Sequence, residues 1–108
     1  MSDINLLEQL LACNKVLFES GHYEASYHLL CAAKHYASDM GDTPSLNALL
    51  ALAHEQSDWI NVHTPDSILA QQSSLARNKV NLYTSLFEQL RGKIQIAEAN
   101  RIMHNLSH

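Results

Sequence analysis

The chain has 108 residues, 46% of them hydrophobic, with three glycines, two prolines and a formal net charge of −4 at pH 7. That length supports one domain, residues 1–108, with a real core and no separate catalytic lobe, and the scarcity of Gly and Pro beside abundant Leu and Ala favours an all-α fold. Lysines and arginines form no basic stripe, which disfavours nucleic acid as a partner, and no run approaches the roughly 20 apolar residues of a membrane span.

A first helix is predicted over residues 3–20, with Ser2 as N-cap and Asp3 at the positive end of the helix dipole. Its apolar residues form two rows, Leu6, Leu10, Cys13 and Leu17 beside Ile4, Leu7, Leu11 and Phe18, so the face meets two neighbours and Cys13 is expected to be buried packing. Leu10-Leu11-Ala12-Cys13 superficially resembles a bacterial lipoprotein cleavage box. Asp3 and Glu8 stand where such a signal carries positive charge and an unbroken apolar run, so no export is expected. Cys13 and Cys31 fall on separate helices with no CxxC spacing, as reduced cytoplasmic thiols do.

Gly21 supplies a left-handed turn, and the link to the second helix is so short that the first two helices must form an antiparallel hairpin. On the second helix Ser26, Leu30, Ala33, Ala37 and Met40 share one face, with Leu29 and Tyr36 at its shoulder. Glu24, His28, Cys31 and His35 run along the opposite side. The run Gly21-His22-Tyr23-Glu24, followed by small Ser26 and then Leu30 and Ala33, resembles the turn and second helix of a tetratricopeptide repeat, over residues 7–40. Where that family has its tryptophan, its Leu-Gly pair and its closing proline, this chain has Leu10, Cys13-Asn14 and Ser38, and no second copy begins one repeat length further on. The resemblance implies one tetratricopeptide-like hairpin and no solenoid.

Gly41 closes the second helix, and Thr43 as N-cap with Pro44 at the first helical position opens a third over residues 44–62. Leu46, Leu49, Leu50, Ala53, Ser57 and Ile60 make its core stripe, with Trp59 alongside and His54 at the core margin as a structural histidine. Thr64-Pro65-Asp66 repeats the same start signal and predicts a fourth helix from residue 66 to about 105, a rod of roughly 60 Å that would overhang its own bundle. Gln71-Gln72-Ser73-Ser74 is one candidate interruption and Arg91-Gly92-Lys93 a stronger one. There the face of Leu75, Leu82, Leu86, Leu90 and Ala97, broadened by Val80, Tyr83, Phe87 and Ile94, gives way to Ile96, Ala99, Ile102, Met103 and Leu106 nearly opposite. Either a fifth short helix folds back, or a continuous helix carries its new face to another chain.

Seven histidines bring a metal into question. His28, Cys31 and His35 have the spacing for two ligands to one ion, but a bundle site needs ligands converging from facing helices, and this stripe lies opposite the core row. Cys31 between two histidines has no oxyanion hole or Gly-rich turn beside it. The spacing of Arg101 and His108 resembles the Arg–His pair of HEPN nucleases, but apolar Ile102 follows the arginine and His108 is expected to fray. No phosphate-binding glycine pattern is present.

The sequence therefore predicts an antiparallel bundle of four helices, or five, with a long C-terminal helix. The expected function is a non-catalytic protein–protein interaction or regulatory module, cytoplasmic, with no cofactor, no nucleic acid and no membrane. It self-associates as a homodimer through Ile96, Ile102, Met103 and Leu106, with Tyr23, Tyr27, His28 and His35 as an exposed partner surface. The alternative is a metal- or cofactor-binding bundle using the His28/Cys31/His35 face.

Overall fold

A computed structural model describes residues 5–106 as five helices, with no strand among the described residues. They are α1 (Leu6–Glu19), α2 (Tyr23–Asp39), α3 (Thr43–His63), a short α4 (Gln71–Ala76) and α5 (Leu82–Leu106). The all-α reading holds. α1 packs along α2, α2 against α3, and α3 against α5, which also touches α2.

The helix ends follow one device used three times. Gly21 and Gly41 take left-handed backbone, φ +85° and +63°. Behind each, two amides close back onto the helix: Gly21 N to Phe18 O (3.0 Å) with His22 N to Leu17 O (2.8 Å), and Gly41 N to Ser38 O (3.1 Å) with Asp42 N to Ala37 O (3.0 Å). Asn78 repeats the motif at φ 56°, with Asn78 N on Leu75 O (3.1 Å) and Lys79 N on Ser74 O (2.8 Å). Only Gly21 and Gly41 were legible as stops.

Helix starts differ from expectation by a few residues. α1 is capped by Asn5, whose Oδ1 accepts from Leu7 N (2.8 Å), so the helix begins at Leu6. The expected cap Ser2, with Asp3 and Ile4, lies outside the described residues. α3 is capped by Asp42, which accepts from Ser45 N (3.1 Å) and Ser45 Oγ (2.6 Å), rather than by Thr43. Thr64-Pro65 opens no helix. Thr64 ends α3, its amide and hydroxyl both donating to Ile60 O (2.8 and 3.1 Å), and residues 65–70 form turns.

The predicted fourth helix is thus two, and the interruption is neither at Gly92 nor within residues 71–74, which are helical. It lies between Ala76 and Leu82, held by buried Asn81. That side chain donates to Leu69 O (2.9 Å) and Ser74 Oγ (3.1 Å), and its Oδ1 accepts from Thr84 N (3.0 Å), capping α5. With the break there, Leu75 and Val80 are exposed, Leu82 sits at the surface, and Leu69, Ala70, Tyr83, Leu86, Phe87 and Leu90 complete the core. α5 runs unbroken through Gly92, about 37 Å in all.

On α3 the stripe Leu46, Leu49, Ala53, Ser57 and Ile60 is buried as expected, with Leu50 half-buried. On α1 the buried line is Leu7 and Asn14, with Leu10, Leu11 and Phe18 packed beside it. Cys13 and Leu6 face outward, so Cys13 is no core residue. Met40 is exposed too, since it follows the last turn of α2.

Candidate functional site

Polar groups lock the first three helices together. Asn14 Nδ2 donates to Ser26 O and Ser26 Oγ (both 2.7 Å) and reaches Gln56 Oε1 (3.3 Å). Gln56 Nε2 returns a bond to Asn14 Oδ1 (2.7 Å), and Ser26 Oγ donates to Asn14 O (3.1 Å). All three residues are buried, one from each helix. Such a network sets the relative register of α1, α2 and α3, because a shift of either partner helix would strand amide groups in a dry core.

That register leaves a groove of about 340 Å³ between α1 and α3, with Phe18, Leu52, Trp59 and buried Gln56 on its floor and Lys15, Glu19 and Glu55 around them. The floor belongs to an aromatic cluster. Phe18 meets Tyr23 edge-on (5.0 Å) and Trp59 edge-on (5.5 Å), Tyr23 lies 5.5 Å from Trp59, and His63 stacks on Trp59 at 4.3 Å. Trp59 keeps 38% of its surface exposed. Of these residues only Tyr23 stood out as a partner candidate in the sequence.

Packing takes Tyr27 out of the expected aromatic–histidine surface. Tyr27 is buried, 7% exposed, its hydroxyl donating to Leu82 O (3.3 Å) and its ring meeting Tyr83 edge-on at 5.2 Å. Tyr23 is half-buried in the cluster above. His28 and His35 remain exposed, and the His28 ring lies 5.4 Å from that of Tyr27. Burial raises the Tyr27 phenol's pKa, with nearby Cys31 adding to it. Burial raises that of Tyr83 as well, with Tyr27 and Cys31 contributing. The Tyr83 hydroxyl has no hydrogen-bond partner among the described residues. Lys34 was not foreseen as a core residue. Its stem is buried between α2 and α5 and its ammonium donates to Gln89 Oε1.

For the metal alternative, His28, Cys31 and His35 stay on one helical face, and no group of three or more His, Cys, Asp or Glu side chains able to hold an ion occurs among the described residues. Cys13 and Cys31 are free thiols. Arg101 hydrogen-bonds Glu98 one turn back (2.8 Å), which raises the guanidinium's pKa; His108 lies outside the described residues. His54 stacks on Phe87 (3.9 Å), with Arg91 Nη2 3.4 Å from its Nε2, and so serves the structural role expected of it.

The same two contacts measure the end of the bundle. α3 residue 54 sits level with α5 residues 87–91, and each step back along α3 is a step forward along antiparallel α5. Thr43, where α3 begins, therefore comes level with about residue 100. From Ile96 onward the apolar face points away from the core, leaving Ile96 63%, Ile102 51%, Met103 68% and Leu106 79% exposed. No helix among the described residues is long and apolar enough to cross a membrane.

No protein-family model matches this chain, and neither the curated proteins nor the solved structures contain a match to it.

Proposed function

We propose that this chain is a small, non-catalytic protein–protein interaction module that pairs with a second copy of itself through the end of α5. The observation that carries the reading is the outward apolar face at Ile96, Ile102, Met103 and Leu106 on a helix that outruns its intramolecular support. Positions 96, 99, 103 and 106 alternate by three and four residues, the spacing that brings one helical seam against another. Large apolar side chains gathered on one helical face mark an association surface more often than scattered ones do. Within this reading the first hairpin is tetratricopeptide-like, and the unpaired thiols of Cys13 and Cys31 fit a reducing, cytoplasmic setting.

The test is a concentration series in light scattering or sedimentation equilibrium. The wild type is expected to pass from monomer to dimer at micromolar concentration, and Ile96→Asp with Met103→Asp to remain monomeric with the helix content of the dilute wild type. A wild type that stays monomeric to millimolar concentration overturns the reading.

A further inference from the structure

We infer that the end of α5 docks into the α1–α3 groove of the second copy, in a reciprocal exchange. This rests on the self-association proposed above and names the surface that receives the helix.

Three observations point to the groove. The first is area. A tail laid on its own symmetry mate offers one seam of about two to three turns, whereas a stable interface buries on the order of 1,000 Å² or more. Reciprocal docking covers two tails and two grooves. The second is shape and chemistry. The groove presents an aromatic floor, Phe18 and half-open Trp59, to which the Ile96–Met103 ridge is the apolar counterpart, with a thioether able to pack on the indole.

The third is charge. Nine of the eleven acidic residues precede residue 77, and five of the seven lysines and arginines follow residue 76. At the site itself, Lys15 of α1 stands on one wall of the groove and Glu55 of α3 on the other. On α5, Lys93 flanks the apolar ridge next to Ile96, whereas Glu98 is held by Arg101 of its own helix. A helix seated ridge-down thus sets Lys93 against Glu55. Because the exchange is two-fold symmetric, the pairing occurs twice.

The dimer dissociation constant, measured by sedimentation equilibrium, tests this directly. Glu55→Lys is expected to weaken the dimer about tenfold, since it sets two like-charged pairs across the interface. Adding Lys93→Glu to the same chain should recover most of the loss. Trp59→Ala takes a ring out of the aromatic cluster, so it is used in a mixture whose components are first matched in helix content by circular dichroism. Trp59→Ala supplies an intact tail, and Ile96→Asp with Met103→Asp supplies an intact groove. The mixture should form a heterodimer through one complete contact, where neither variant pairs alone. If the tail variant is monomeric while Glu55→Lys leaves the constant unchanged, or Lys93→Glu fails to restore it, docking in the groove is overturned and self-association stands. If the wild type itself is monomeric, both fall.

Discussion

Single buried polar side chains govern this small core. Asn14 serves two other helices at once, so Asn14→Ala removes its own bonds and strands the Gln56 amide nitrogen, while the Ser26 hydroxyl keeps the carbonyl of residue 14. The expected loss is about 2–4 kcal/mol of unfolding free energy in a denaturant titration, more than an exposed substitution costs. Tyr83 is the opposite case, because its buried hydroxyl has no partner among the described residues. Tyr83→Phe should leave stability unchanged or raise it by up to about 1 kcal/mol. The two buried tyrosines also shape the alkaline limb. Burial lifts both pKa values above the ordinary value of about 10, so the unfolded chain releases these protons first. Their contribution to stability is complete below pH about 10 and is lost as the pH rises past it. A urea-midpoint profile against pH should fall there for the wild type and flatten in Tyr27→Phe with Tyr83→Phe.

At the level of the helix, glycine has two meanings in one chain. Gly21 holds φ +85°, so Gly21→Ala should cost about 1 kcal/mol or more, whereas Gly92 lies inside continuous α5, where an added methyl group meets nothing within 4 Å. Gly92→Ala should therefore stabilise the chain by about 1 kcal/mol, and thermal unfolding of the pair checks both signs. This contrast also shows what could be read ahead of the structure. Stops made by glycine and the apolar stripe of α3 were legible because backbone freedom and helical period leave a mark in residue type. Asn78, doing the work of a glycine, left none, and neither did Asn81, whose capping and core roles depend on Leu69 and Ser74 arriving from elsewhere in the chain. Thr64-Pro65 misled for the converse reason. A threonine hydroxyl that can cap one helix can also close the preceding one, and here it donates to Ile60 O.

For the whole molecule, the candidate site divides in the same way. The change of face past Gly92 was visible as periodicity, and the α5 tail bears it out as an outward-facing apolar stretch. The groove was hidden, because Lys15, Phe18, Glu55 and Trp59 come from two helices whose register depends on Asn14 and Gln56, polar residues that a hydrophobic pattern passes over. The Cα trace measures 53 × 36 × 16 Å, and so thin a body leaves every long helix with a solvent-facing side. The tail substitutions named above act on exposed side chains, so at high dilution they should shift unfolding by no more than about 0.5 kcal/mol while abolishing pairing. A further consequence follows from how far α5 runs past α3. The last turns of α5 carry Ile102, Met103 and Leu106 exposed, so they add little packing and hold only by the small gain of propagating an existing helix. On the reading proposed here, winding of those last turns and capture of a partner are one linked equilibrium. Dilution unwinds the last turns of the chain, crowding two copies together rewinds them, and the order of that short stretch of backbone becomes a gauge of how much protein is present.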